Sequence, residues 1–129
     1  MGLGDYAVGA TMATADLDKA KEFYGEKLGL KVEKDNSADG GPIIYRAGKG
    51  TGVAVYESPD HAGKCTATMA GWDVDDVDKV VDELIANGVT FEQYDEEGMK
   101  TDDRGVIDFD GFKVAFFRDP DGNTHSLNG

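Results

Sequence analysis

Few residues of this chain could do chemistry by themselves. It contains two histidines, His61 and His125, and a single cysteine, Cys65. Imidazole and thiolate groups bind transition metals and act as bases or nucleophiles near neutral pH. His61 follows a Ser-Pro-Asp turn signal, so it is either a solvated loop residue or a group that reaches over the rim of a binding site. Cys65 has only the adjacent Lys64 as an activator, which favours an inert thiol over a nucleophile.

A third candidate is the pattern Asp119-x-Asp121-x-Asn123, which is similar to the opening of a calcium-binding loop. Such a loop needs a glycine at its sixth position and a glutamate at its twelfth, and this chain has neither. Asp119-Pro120-Asp121-Gly122 predicts a hairpin turn instead, in which the proline fixes one dihedral angle and the glycine supplies a positive φ.

Charge and length limit the classes of function. The 129 residues include 13 Lys and Arg against 26 Asp and Glu, a formal net charge of −13. Nucleic acids and anionic membranes would be repelled, and no apolar run reaches the ~20 residues of a membrane span. The lone cysteine excludes an internal disulfide, and without an export signal we expect a cytoplasmic protein. The acidity fits either high solubility or a saline habitat.

An internal repeat organises the chain. Asp16-Leu17-Asp18-Lys19-Ala20 matches Asp76-Val77-Asp78-Lys79-Val80 sixty residues later. Each half has a small, apolar strand, an aspartate that can cap a helix, a helical apolar pattern, and a glycine suited to end that helix. After Gly29 and Gly88 we predict alternating strands. Further strands complete a βαβββ pattern in each half. The first strand of each half, 6–14 and 66–74, is predicted to be buried on both faces. The other predicted strands are 42–47, 51–57, 105–109, 112–118 and 123–128.

Three stretches of the chain resemble the vicinal oxygen chelate superfamily, which includes glyoxalase I, extradiol dioxygenases, fosfomycin-resistance enzymes and bleomycin-binding proteins. The first is the helix signature from Asp16 to Tyr24 with Leu28-Gly29-Leu30. The other two are Trp72-Asp73-Val74-Asp75-Asp76-Val77 and Phe116-Phe117-Arg118-Asp119-Pro120-Asp121-Gly122-Asn123. The resemblance implies an α+β fold of two tandem βαβββ modules that form a curled mixed sheet around a cleft, with helices outside. It implies one domain over 1–129, with modules at about 5–60 and 65–129.

The resemblance also implies where a metal would lie. Enzymes of this superfamily hold a divalent metal with His and Glu side chains, and their positions fall here on Gly9, Val53, Met69 and Ser126. None of these residues is a ligand that hard cations prefer. We therefore expect no metal and no other cofactor. His125 neighbours one ligand position, but strand alternation sends it to the opposite face unless the register slips.

The same positions imply a binding surface. If Met69 faces the cleft, alternation places Gly71 and Asp73 beside it, whereas Trp72 faces the helix. The predicted ligand-binding residues are Thr11, Val55, Glu57, Met69, Gly71, Asp73, Thr124 and Ser126. Small side chains at these positions would leave room for an organic molecule, unless aromatic residues fill the space. Glu57 and Asp73 are candidates for attracting a cationic ligand or, with His61, for catalysis; either carboxylate could instead be simply solvated.

Three hypotheses follow. The first is a metal-independent protein that binds a small drug or metabolite, with a homodimer as the expected assembly. The second is a glyoxalase-like lyase or isomerase, or a dioxygenase, with a displaced metal site that involves His61, His125, Glu57 or Asp73. The third is an acidic dimer whose cleft is closed and which acts through interaction alone.

Overall fold

The computed structural model describes residues 2–129. The chain divides into two compact units, Met1–Lys64 and Cys65–Gly129. Each unit contains a four-stranded mixed sheet and a helical segment, and strand order is the same in both. The predicted α+β fold of two tandem βαβββ modules is therefore confirmed. No helix within residues 2–129 has the length and apolar character that crossing a bilayer requires.

In the first unit, β1 pairs in parallel with β4, and the remaining neighbours are antiparallel in the order β1-β4-β3-β2. Its elements are β1 (Ala10–Thr14), α1 (Leu17–Lys21), a π-helical continuation (Glu22–Lys27), β2 (Lys31–Asp35), β3 (Ile43–Arg46) and β4 (Gly52–Glu57).

The second unit repeats this arrangement in the order β5-β10-β9-β8, with β5 parallel to β10. A two-stranded hairpin, β6 with β7, is added after the helix. The elements are β5 (Thr68–Asp73), α2 (Val77–Ala86), β6 (Asp95–Glu96), β7 (Met99–Lys100), β8 (Val106–Phe109), β9 (Phe112–Arg118) and β10 (Thr124–Asn128).

The repeated aspartates begin both helices, as the sequence predicts. The Asp16 carboxylate accepts hydrogen bonds from the backbone N–H groups of Asp18 (3.1 Å) and Lys19 (3.2 Å). Asp76 does the same for Lys79 at 3.1 Å. Each cap satisfies donors that the first turn of a helix leaves without partners.

Several predicted strands differ from the observed ones. The chain before Ala10 is not a strand: residues 3–5 form a 3₁₀ turn, and Tyr6 and Val8 are 73% and 81% exposed. Burial on both faces is wrong for β5, because Thr68, Met69, Gly71 and Asp73 are exposed. The predicted strand after Gly88 is reduced to one bridge between Phe91 and Phe117.

Side-chain contacts show which face of each sheet packs on its helix. In the first unit, the Tyr24 ring stacks on Tyr45 of β3 with centroids 5.9 Å apart. In the second, the Lys113 ammonium of β9 bonds the Asp78 carboxylate of α2. Since alternate residues of a strand share a face, these contacts fix the orientation of every strand paired in register with them. We call the two surfaces of each sheet the helix face and the far face.

Candidate functional site

Four of the predicted ligand-binding residues lie together on the far face of the second sheet. Ser126 pairs with Gly71 and with Phe116. Phe116 lies three residues from Lys113 on β9, so the two side chains point to opposite faces, and Ser126 lies on the far face with Phe116. Asn128 likewise pairs with Asp73. The far-face site is defined by Gly71 and Asp73 of β5 with Thr124, Ser126 and Asn128 of β10.

Gly71 leaves space above the central strand. A Cβ atom at this position would lie 3.3 Å from Asn128 Nδ2 and 3.4 Å from Ser126 Oγ. Because glycine has no side chain, β5 does not cover these two polar groups at this position. The Asn128 amide donates a 3.1 Å hydrogen bond to the Ser126 hydroxyl. Phe116 borders this surface, and its ring meets Tyr94 edge-on with centroids 6.0 Å apart. The arrangement offers polar atoms beside an aromatic wall, which is typical of sites for organic molecules.

Thr124 differs from its neighbours. The residue is 5% exposed, and its hydroxyl has no hydrogen-bond partner among residues 2–129. Most buried polar side-chain atoms in proteins are hydrogen-bonded, and leaving one unpaired costs about 1–3 kcal/mol. An unpaired hydroxyl next to Ser126 is therefore a feature of the site that needs an explanation.

Met69 lies at an irregularity in the sheet. Thr124 pairs with Thr68 and the next residue, His125, pairs with Ala70, so Met69 has no partner on β10. Its side chain is 38% exposed. The extra residue is a β-bulge, and such bulges change the direction of neighbouring side chains. Its predicted place beside Gly71 stays a prediction.

The first unit corrects two predictions. Val55 lies on the helix face, since it alternates in step with Val53, which pairs with Tyr45. Met12 pairs with Val55 and so lies on the helix face, whereas Thr11 pairs with Ala54 and lies on the far face. Val55 is 1% exposed and packs in the helix-face core, so its placement beside Thr11 is wrong. Glu57 continues the same alternation as Val55 and is exposed at the strand end, so it too lies outside the far face.

Sequence reasoning missed the residues that take those places. Ala54 and Tyr56 are the β4 residues in register with Thr11 and Ala13. A signal was available, since Val53 and Val55 alternate with smaller Gly52 and Ala54, and β-branched apolar residues at every second position predict a core face.

His125 belongs to the core of the second unit. It has no exposed surface, and its ring stacks on Phe117 with centroids 4.8 Å apart and planes 4° from parallel. The Trp72 Nε1–H donates a 3.1 Å hydrogen bond to its Nδ1 atom. Burial lowers the pKa of His125 to about 4, against the opposing effect of the Asp119 carboxylate. An indole nitrogen can only donate, so Nδ1 must be unprotonated and the ring neutral.

The remaining chemical candidates have local roles. In an exposed turn, His61 Nδ1 lies 2.8 Å from the Ser58 hydroxyl. Cys65 is exposed. The Asp119 carboxylate accepts from the backbone N–H groups of Asp121 (3.0 Å) and Asn123 (2.9 Å), so the turn itself uses the oxygens that a calcium ion would need.

The four positions implied for a metal do not fit one. Gly9 has no side chain, and a Cβ there would approach the Gly52 carbonyl oxygen to 2.9 Å. Val53 pairs with Tyr45 and lies on the helix face with Val55, so its implied place at a metal position is wrong, and the far-face residues on either side of it, Gly52 and Ala54, offer no ligand. Met69 offers a soft thioether, and the Ser126 hydroxyl accepts a hydrogen bond from Asn128. Across residues 2–129, no three His, Cys, Asp or Glu side chains are grouped so as to hold an ion.

Most cations of the second unit are already paired. Arg104 bonds Asp82 at 2.8 Å and also reaches Asp78, which Lys113 contacts as well. Hydrogen bonds from Lys113, and then from Arg104, lower the pKa of Asp78. A surface cavity of about 610 Å³ opens beside this cluster, lined by Asp78, Lys100, Thr101, Asp102, Arg104, Val106, Asp108 and Lys113. Its Arg104 and Lys113 side chains are therefore not available to an anion.

The charge of the chain is concentrated in the second unit. Residues 1–64 hold ten acidic and eight basic side chains, whereas residues 65–129 hold 16 acidic and five basic ones. Arg118 of that half pairs with Glu92 at 3.2 Å. The field around the far-face site is therefore negative, which favours cationic molecules.

Comparison with known proteins decides the family. The profile of the Glyoxalase/Bleomycin resistance protein/Dioxygenase superfamily matches residues 6–127. The chain belongs to this superfamily. No curated protein matches the sequence significantly. The superfamily's recognition from three sequence signatures is thus confirmed, and so is the fold that they implied.

Solved structures agree with the superfamily assignment. A glyoxalase/bleomycin resistance protein from a Streptomyces species is 25% identical, with a TM-score of 0.70 over 95% of this chain and 98% of that one. A superfamily member from Sphaerobacter thermophilus is 26% identical, with a TM-score of 0.67 and 95% of both chains covered. TnmS3, an antibiotic binding protein from Streptomyces, is 24% identical with a TM-score of 0.72, covering 95% of this chain and 93% of its own. At that identity TnmS3 shows a shared fold.

Proposed function

We propose that this superfamily member is a metal-independent binding protein for a small, amine-bearing organic molecule of the antibiotic type. The observation that carries the proposal is the chemistry at the four metal positions. Gly9, Met69 and Ser126, with Gly52 and Ala54 on the far face of β4, stand where the enzymes use imidazoles and carboxylates, whereas the far face keeps small polar residues and an open Gly71. A surface of this kind can hold a molecule without supplying a Lewis acid.

Electrostatics supports a cationic ligand. Asp73 is exposed at the end of β5, next to Asn128, and the half of the chain that carries it has an excess of 11 acidic side chains. An ammonium group near Asp73 would gain from both the local carboxylate and the surrounding field. The antibiotic-binding function of TnmS3, which has the same fold, is consistent with this type of ligand.

The enzymatic alternative has weaker support. A displaced metal site needs accessible imidazoles, but His125 is buried with its Nδ1 bonded to Trp72, and His61 lies in an exposed turn beside Ser58. His61 is accessible but isolated, because within residues 2–129 no three His, Cys, Asp or Glu side chains are grouped so as to hold an ion.

Ligand screening tests the proposal. We expect metal-free bleomycin or doxorubicin, both amine-bearing antibiotics, to raise the melting temperature of protein purified without a tag. A ligand at a hundredfold excess over its Kd stabilises the folded state by about 2.7 kcal/mol. N-acetyl doxorubicin, which lacks the ammonium charge, is the matched control and should bind more weakly, with a difference that shrinks as salt is added. Absence of any shift, or one equivalent of tightly bound Fe, Mn, Zn or Ni after metal addition, would contradict the proposal.

We also propose that the protein is a cytoplasmic homodimer. Apolar side chains stand exposed just before edge strand β1: Leu3 at 89%, Tyr6 at 73% and Val8 at 81%. Exposed apolar groups that lie close together in one short segment favour association with a second copy. Light scattering coupled to size exclusion should give twice the 13.8 kDa chain mass, and the double variant Tyr6→Ser/Val8→Ser should shift the population to monomer. A monomeric wild-type protein would exclude the dimer.

A further inference from the structure

We infer that Thr124 is a specificity-determining residue of the far-face site, and that its hydroxyl bonds an uncharged oxygen of the ligand. The inference rests on the proposed function and deepens it. It assigns to the ligand a neutral polar group, a carbonyl or a hydroxyl, in addition to the amine that the acidic field favours.

The first argument is a comparison of two buried threonines. Thr14 is 1% exposed, and its hydroxyl donates to the Asp16 carbonyl and accepts from the Asp16 N–H, both at 3.1 Å. Thr124 is 5% exposed, and its hydroxyl bonds no other group of the described part of the chain. The fold therefore satisfies one buried hydroxyl twice and leaves the other shielded from solvent without a partner among residues 2–129, so that a ligand oxygen reaches it only when the atoms over it move. A partner from outside the chain would remove the desolvation penalty at Thr124.

The second argument is local geometry. On β10, Thr124 and Ser126 share the far face, since they are two residues apart and β10 pairs regularly with β9. The Ser126 hydroxyl is already bonded by Asn128, so it does not turn toward Thr124. The bulge on β5 lies directly opposite the step from Thr124 to His125. Bulges of this kind occur near binding sites, where they aim a side chain away from the regular ladder.

The third argument concerns the span of the site. Asp73 pairs with Asn128, which is four residues along β10 from Thr124. At 3.3 Å per residue, the two positions lie about 13 Å apart. A ligand that uses both would be elongated, with an ammonium group near Asp73 and a neutral oxygen near Thr124. A hydroxyl can donate to a carbonyl or exchange hydrogen bonds with another hydroxyl, and both occur on doxorubicin.

Three variants test the assignment. Thr124→Val keeps the shape of the side chain and removes the unpaired hydroxyl, so we expect an unchanged or raised melting temperature. Thr14→Val removes a satisfied hydroxyl and should lower the melting temperature by about 4 °C. With doxorubicin as the probe, followed by its fluorescence, Thr124→Val should weaken binding about tenfold, and Thr124→Ser should restore it.

The outcomes separate this inference from the function on which it rests. If wild-type protein binds doxorubicin and Thr124→Val binds it equally well, the Thr124 assignment is wrong while the binding function stands. A fall in melting temperature for Thr124→Val as large as that of Thr14→Val would show a bond within the protein, and would also overturn the assignment. If neither doxorubicin nor metal-free bleomycin binds wild-type protein, the proposed function fails first and the inference fails with it.

Discussion

Lowering the pH from 6.5 to 4 should cost this protein roughly 3 kcal/mol of folding stability through His125 alone. The pKa of His125 is lowered by burial from 6.5 to about 4 in the folded state. Between these values the unfolded chain binds a proton that the folded chain does not, so stability falls as the pH falls. The loss is complete below about pH 4 and absent above about pH 6.5.

Urea denaturation at half-unit pH steps measures this slope. In the wild-type protein Trp72 Nε1–H donates a 3.1 Å hydrogen bond to His125 Nδ1. The amide oxygen of His125→Gln can accept the same bond, but a glutamine side chain does not titrate. We expect that variant to be less stable at pH 7 and to show a nearly flat profile from pH 6.5 to about 5, where the wild-type protein already loses stability through His125. His61→Gln is the matched control, because His61 is exposed and its replacement should leave the wild-type slope intact. Asp78, whose pKa is lowered by its hydrogen bonds to Lys113 and Arg104, costs stability only below about pH 5, where the unfolded carboxyl takes up a proton, and it does so equally in the wild-type protein and in His125→Gln. An unchanged slope in His125→Gln would contradict the assignment.

The repeat made the fold predictable. The match of Asp16 to Asp76 located both helix starts, and each aspartate now caps its helix. These features depend on residues close together in sequence, where capping and periodicity act directly. The π-helical continuation after Lys21 carries no comparable local signal, and tertiary packing of Phe23 and Tyr24 accompanies it.

Strand parity decided which of the predicted site residues share a face. Gly71, Asp73, Thr124 and Ser126 share one face because the sequence signatures on either side fix the phase of β5 and β10. On β4, the sequence prediction was wrong by one residue: it placed Val55 on the same face as Thr11, whereas Ala54 and Tyr56 lie there. Because strand alternation has a period of two, an error of one residue exchanges the two faces.

Other properties of the site could not be read from residue types. The bulge at Met69 and the unpaired Thr124 hydroxyl depend on how two strands that are distant in sequence align, because Thr124 pairs with Thr68, more than fifty residues earlier in the chain. Buried hydrogen bonding is a property of the packed structure, because the sequence does not say which hydroxyl finds a partner. The same limit applies to His125, whose acceptor role depends on the distant Trp72 indole.

Replacing Gly71 by leucine should weaken doxorubicin binding at least a hundredfold, equivalent to about 2.7 kcal/mol. A Cβ at this position already lies 3.3 Å from Asn128 Nδ2 and 3.4 Å from Ser126 Oγ, so a leucine side chain would cover the polar floor of the far-face site. Gly71 is exposed and is not among the glycines with positive φ, so the backbone accepts the change and the melting temperature should move little. Gly71→Ala, which adds one methyl group, should give an intermediate loss of affinity.

Gly48→Leu is the matched control for this substitution. Gly48 is exposed, also lacks a positive φ, and has no atom within 4 Å of an added Cβ, so leucine there should leave doxorubicin binding unchanged. Titration of all three variants by doxorubicin fluorescence, with thermal melts to confirm folding, separates blockage of the site from loss of structure. If folded Gly71→Leu bound doxorubicin as tightly as wild type, the ligand would lie elsewhere on the protein, because no molecule could contact Ser126 and Asn128 past that side chain.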